Sequence, residues 1–79
     1  MKVEIITPEK KLFTGKTTMV KVPGSLGSFQ ILKNHAPIVS TLEKGTITIR
    51  IENNEERTFD IESGLIECKD NLISILVEK

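Results

Sequence analysis

The sequence predicts an all-β domain spanning residues 1–79, an antiparallel β-sandwich or flattened barrel of about eight to ten short strands. Three observations lead there. Apolar and polar residues alternate with period 2 in runs such as "TITIRI" and "RTFDIE", which places one side of each run in a core. No stretch repeats its apolar residues at the helical period. Turn-forming residues punctuate the chain at roughly 6–12-residue spacing, the rhythm of an all-β sandwich rather than of strand–helix–strand units.

Each element follows from its own residues. "KVEIIT" is a strand that ends at Pro8, and "PEKK" is a turn. "LFTGKTTMVKV" (residues 12–22) reads as one strand with Gly15 as a bulge. "PGSLGS" is a loop, "FQIL" a short strand, "KNHAP" a loop, "IVSTL" a strand and "EKG" a turn. Residues 46–62 form a β-hairpin, because Asn53-Asn54 tolerates the positive φ that a tight connection needs. Ile47, Ile49, Ile51, Phe59 and Ile61 then face inward, while Thr46, Thr48, Arg50, Thr58 and Asp60 face out. "LIEC", "KDN", "LISILVE" repeats the scheme as strand, turn, strand. In that last run Ile73, Ile75 and Val77 oppose Leu72 and Leu76, so both sides are apolar. Such a strand is central, or one of its faces is reserved for a partner.

A chain of 79 residues has room for one core. Cys68 is the only cysteine, so no intrachain disulfide forms, and its strand setting marks it as a small buried hydrophobe in a reducing compartment. No run approaches the roughly 20 apolar residues of a membrane span, and "MKVEIITPEKK" lacks a signal-peptide core. The expectation is a cytoplasmic, soluble protein that can still sit on a membrane complex without inserting into it. Net charge is zero but unevenly spread. Residues 1–40 carry six lysines against Glu4 and Glu9, whereas residues 41–79 carry five cations against nine acids. Strand interleaving in a sandwich can erase that polarity in space.

The usual chemistries find little support. "TGKTT" lacks the glycine five positions before Gly15 that a phosphate loop needs, since Lys10 stands there, and "TTMVKV" is strand-like where a helix should begin. A metal cage needs three or four convergent ligands, and His35 and Cys68 are the only His and Cys. Nucleophilic catalysis needs an oriented base, and no spacing selects a nucleophile for His35. With three Phe and neither Tyr nor Trp, the chain lacks stacking aromatics for nucleic acid and the platforms of a carbohydrate-binding module. No catalytic residue, metal or cofactor is expected. A free-standing ligand-binding sandwich is the alternative to a subunit of an assembly, and an enzyme built around His35 is the third reading.

One stretch carries more. "GSLGSFQILKNHAPIVSTLEKGTITI" resembles the signature region of the epsilon subunit of F-type ATP synthases, matching it at Gly24, Gly27, Ile31, His35, Ala36, Pro37 and Gly45. Leu12-Phe13-Thr14-Gly15 resembles that family's opening segment, and "IESGLIECKDNLISILVEK" its closing strands. Ser28 replaces the usual acid, Gln30 a glycine, and Lys33-Asn34 a Pro-Gly pair, where Asn still tolerates the left-handed turn. The family's C-terminal helical hairpin has no counterpart in these residues. The resemblance implies a non-catalytic β-sandwich at the foot of a central stalk, peripheral to the cytoplasmic face of a bacterial inner membrane. It implies a gamma-subunit interface at Leu12, His35, Val39 and Ser40. It also implies that the loop Ser25, Leu26, Gly27, Ser28 and Phe29 faces the membrane rotor ring of c subunits. Such a subunit couples proton flow to ATP synthesis.

Overall fold

In a computed structural model that describes residues 1–79, the chain forms nine strands. They are β1 (Lys2–Ile6), β2 (Lys11–Lys16), β3 (Met19–Val22), β4 (Phe29–Leu32), β5 (Ile38–Leu42), β6 (Gly45–Arg50), β7 (Glu56–Ile61), β8 (Ser63–Lys69) and β9 (Leu72–Glu78). They make two sheets, β2-β1-β9-β8-β5 and β4-β3-β6-β7, stacked as a sandwich. One pairing departs from the antiparallel expectation: β1 runs parallel to β9, joining the two ends of the chain inside the five-stranded sheet. Parallel neighbours need a long crossover, and here the whole intervening chain supplies it.

Period-2 alternation sets the core. Val3 and Ile5 of β1, Ile66 of β8 and Ile73 and Ile75 of β9 meet Val20, Ile31, Ile47 and Ile49 from the other sheet, all fully buried. Ile61 and Val77 are also buried, as expected. Ile51 and Phe59 are half-buried, packed against the margin of the core rather than within it. β9 is the middle strand of its sheet, and its Leu72 and Leu76 stand on the outer surface. Cys68 is a buried free thiol whose burial pushes its ionisation up from the ordinary value, so it stays protonated and inert.

The turns show how local chemistry closes the ladders. The β8–β9 hairpin has only Asp70 and Asn71 between its closing pair, at φ 53° and 62°, the left-handed pair of a type I′ turn. β6 and β7 are joined through a short 3₁₀ turn at Glu52–Asn54, with Asn53 and Asn54 both at positive φ. The turn expected at "PEKK" starts one residue earlier, at Thr7, whose hydroxyl accepts from the Glu9 and Lys10 amides at 3.3 and 3.0 Å.

Residues 12–22 do not form one strand, and Gly15 is not the bulge. The chain passes from one sheet to the other at Thr17–Thr18, which ends β2 and begins β3. The bulge lies at Leu12, because Ile5 faces Phe13 while Ile6 faces Lys11. Gly15 pairs regularly with Val3. Its missing Cβ makes room for Phe13, since a Cβ there would come within 3.2 Å of the ring. Phe13 in turn tilts against Phe59 of β7 at 6.3 Å between centroids, closing one seam of the sandwich.

At the opposite seam the Lys33–Pro37 turn carries the chain from β4 to β5. The Asn34 amide N–H donates to the Asn71 side-chain oxygen at 2.8 Å. The Asn71 side-chain NH₂ donates back to the Asn34 side-chain oxygen at 3.0 Å. This reciprocal clasp ties the turn to the β8–β9 hairpin.

Ile49→Ala should lower stability in urea titration by about 2–4 kcal/mol through the cavity it leaves, whereas Thr48→Ala on the outer side should change it by less than about 0.5 kcal/mol. Equal effects at the two positions would contradict the register. A double-mutant cycle on Asn34→Ala and Asn71→Ala should show coupling of about 0.5–1.5 kcal/mol. Additive losses would mean the clasp is not formed in solution.

Candidate docking surface

The two sheets present different outer faces. On the four-stranded sheet, Arg50 sits opposite Glu56 and bonds it at 2.8 Å, and Thr46 donates to Asp60 at 2.8 Å. Lys21 lies between Gln30 and Thr48, and Thr48 faces Thr58. That face is polar, apart from Leu32 beside Met19 at one corner.

The five-stranded sheet also carries outward charged residues, with Glu4, Ser74 and Glu67 aligned across it, but it adds an apolar row. Leu65 of β8 stands directly opposite Leu76 of β9, which is in register with Ile6 of β1. Leu65, Leu76 and Leu72 remain 40%, 49% and 52% exposed, and Val39 on edge strand β5 is 63% exposed. Isolated exposed aliphatics are ordinary, but a row of them across neighbouring strands is a docking feature.

At the end of that sheet near Leu42, the glycine-rich loop is stitched in place. The Ser25 amide donates to the Thr41 carbonyl at 3.0 Å, and the Thr41 hydroxyl donates to the Ser25 hydroxyl at 2.9 Å. The Gly27 amide donates to the Gly24 carbonyl at 2.9 Å, closing a tight turn. Two glycines are required by geometry. Gly27 has φ 128°, and a Cβ at Gly24 would stand 2.7 Å from both the Gly27 carbonyl and the Phe29 ring. The turn holds Leu26 fully in solvent, the most exposed large apolar side chain of the chain. Ser28 is exposed beside it, and Phe29 is half-buried against the core.

The residues that the sequence assigned to one interface fall in four places. Val39 and Ser40 are consecutive on a strand and therefore point to opposite sides. Val39 belongs to the apolar outer face, whereas Ser40 lines a shallow groove with Leu26, Ser28 and Phe29. His35 sits in the turn beside the asparagine clasp, half-buried, with Nδ1 2.7 Å from the Ala36 carbonyl; in the neutral ring that nitrogen donates. Leu12 lies on β2 at the far edge of the same sheet from β5, half-buried and packed on the core. Ile6 and Leu65, which complete the apolar row, escaped the sequence reading. Each looks like an ordinary strand residue until pairing places it beside Leu76.

No three His, Cys, Asp or Glu side chains converge as a metal cage. No helix is long and apolar enough to cross a membrane.

Comparison with known proteins supplies the context for these features. A sequence model of the ATP synthase Delta/Epsilon chain β-sandwich domain matches residues 1–79. The ATP synthase epsilon chain of Leptospira interrogans (serovar copenhageni, strain Fiocruz L1-130) is 46% identical over 78 residues, covering 99% of this chain and 61% of that protein. The ATP synthase epsilon chain of Chlorobium limicola is 39% identical over 77 residues, covering 98% of this chain and 88% of that one. The chain thus spans about three fifths of the length of the Leptospira relative. Among solved structures, a chain in the central stalk and c-ring of the Tetrahymena thermophila mitochondrial ATP synthase superposes with a TM-score of 0.83 at 20% identity. That match covers 99% of this chain and 63% of the other. A chain of the Euglena gracilis mitochondrial ATP synthase gives 0.91 at 14% identity, covering 98% and 49%. At those identities the structures share the fold, and the sequence matches carry the kinship: the chain belongs to the ATP synthase Delta/Epsilon chain family, in its β-sandwich domain.

Proposed function

We propose that the chain is a non-catalytic rotor part of a proton-translocating F-type ATP synthase, a β-sandwich that links the gamma subunit of the central stalk to the membrane ring of c subunits. In this reading it works at the cytoplasmic face of a bacterial inner membrane, held there by its partners. It needs no cofactor, and its task is to pass torque between stalk and ring. The single observation that carries the reading is the contrast between the two outer faces. One is polar; the other keeps Leu65, Leu72, Leu76 and Val39 open to solvent. Covering each of those side chains is worth roughly 1 kcal/mol, which favours an assembly partner over a diffusing ligand.

The five-stranded face is the gamma surface in this proposal. A partner that touches both Val39 and Leu12 must span the sheet from edge to edge, about 19 Å at the usual strand spacing. His35 would contribute at the clasped turn, where Pro37 restricts Ala36 to extended backbone and the imidazole is already oriented. The stitched loop with Leu26 at its tip is the ring contact. A turn held by its own hydrogen bonds loses little freedom on docking, so a small apolar tip can bind usefully. Ser40, on the groove side, groups with that loop rather than with gamma.

Calorimetric titration with the cognate gamma subunit tests the assignment of faces. Leu76→Asp should weaken binding at least about tenfold, while Thr48→Asp on the opposite face should leave it unchanged. Leu26→Ser should spare gamma binding and weaken assembly with the ring. Loss of gamma affinity in Thr48→Asp, with Leu76→Asp unaffected, would overturn the proposed orientation.

A further inference from the structure

The outer face of the five-stranded sheet is banded by charge, and strand register lays out the bands. One row crosses four neighbouring strands as Lys16, Lys2, Leu72 and Lys69. Two residues further along, about 7 Å away, the row is Thr14, Glu4, Ser74, Glu67 and Val39. Another step brings the apolar row of Ile6, Leu76 and Leu65. The middle strand β9 therefore has cations on both sides of Leu72, acids on both sides of Ser74 and aliphatics on both sides of Leu76.

The lysine row is unfavourable to the isolated fold. Lys2 and Lys16 are the only like charges set directly opposite each other in either sheet, an arrangement that destabilises a ladder. The directly opposed pair of unlike charges, Arg50 and Glu56, bonds at 2.8 Å as the same rule expects. The neighbouring acids form no ion pair with the lysine row. Glu4 turns the other way, to Lys11 at 3.4 Å, and Glu67 lies within ion-pair distance of no cation.

In the free chain Lys2, Lys16 and Lys69 are all exposed, and water and salt screen their repulsion. Leu72 is what makes the row matter for docking. It is half-exposed in the middle of the row, so a partner that covers it strips water from the lysines on either side. Ammonium groups tolerate that only with carboxylates beside them.

Resting on the assignment of this face to gamma, we infer that the partner meets Leu72 with an apolar contact flanked by carboxylates, one toward Lys2 and Lys16 and one toward Lys69. Those carboxylates relieve the Lys2–Lys16 repulsion, so what the row costs the free chain is recovered on docking. The apolar row by itself leaves the partner's orientation open, and the lysine row fixes which end lies toward Leu72. An anionic bilayer fits the same lysines less well, because on a flat face its headgroups would also press against Glu4 and Glu67.

The test combines calorimetric titration with gamma and melting of the free chain. Lys16→Glu sets an acid opposite Lys2, so the free chain should melt higher, yet gamma binding should weaken at least about fivefold. A role within the fold alone would move stability and leave affinity in place. Lys2→Glu with Lys69→Glu should weaken binding at least about tenfold. Added salt should weaken the wild-type complex more steeply than that of Lys2→Gln with Lys69→Gln. Leu76→Asp is the control for the face itself. Weakened binding in Leu76→Asp, with every lysine variant binding as the wild type does, would overturn the inference and leave the gamma face in place. Normal binding in Leu76→Asp would remove the face, and the inference with it. Sedimentation with vesicles containing phosphatidylserine supplies the last arm: lysine-dependent vesicle binding with unchanged gamma affinity would assign the row to lipid and overturn the inference.

Discussion

Strict alternation along short strands commits one side of every strand to a single core, and the rest of the molecule depends on that constraint. The core is a cluster of 14 buried residues, nearly all aliphatic, shared by two sheets. A chain of this size buries only about 60–65% of its unfolded surface, so the core alone leaves a thin margin. Alternation also fixes what the outer sides can carry. On the four-stranded sheet they carry threonines and paired charges; on the five-stranded sheet they carry Leu65, Leu72 and Leu76 among charged residues. The second choice wastes apolar surface in an isolated domain. It makes sense for a part whose burial is completed by a neighbour.

Stiffness at the two ends comes from short-range polar chemistry. Ser25 and Thr41 stitch the glycine loop to β5, and Asn34 and Asn71 clasp the opposite turn to the β8–β9 hairpin. The left-handed positions outside Gly27 are filled by Asn and Asp, whose side chains can bond locally while tolerating positive φ. Contacts presented on a rigid frame need little reordering when a partner docks.

Much of this was legible in the sequence, for physical reasons that differ by feature. Period-2 patterning exposed the inward isoleucines of β6, β7 and β9, and Asn53-Asn54 and Asp70-Asn71 exposed the two hairpin turns. Non-local facts stayed hidden. The parallel pairing of β1 with β9 joins residues at opposite ends of the chain, so no local pattern encodes it. The bulge at Leu12 follows from registering Ile5 and Ile6 against β2, whereas Gly15, the more obvious candidate, is small to admit the Phe13 ring. The crossover at Thr17–Thr18 lies inside a β-branched run that reads as continuous strand. For the surface, Leu72 and Leu76 announced themselves as a second apolar side of β9, while Leu65 and Ile6 needed the ladder to bring them alongside. Val39 and Ser40 show the limit of reading a site as a segment: neighbours in a strand belong to opposite faces.

The central claim is that one face of the sandwich, and not the other, is built to be covered. Amide hydrogen exchange of the chain alone and with the proposed gamma partner tests this most directly, because covering a sheet suppresses local opening of the strands beneath. The account predicts slowed exchange in β5, β8 and β9, with β6 and β7 unchanged. Slowing confined to β6 and β7, with β8 and β9 as open as in the free chain, would contradict it.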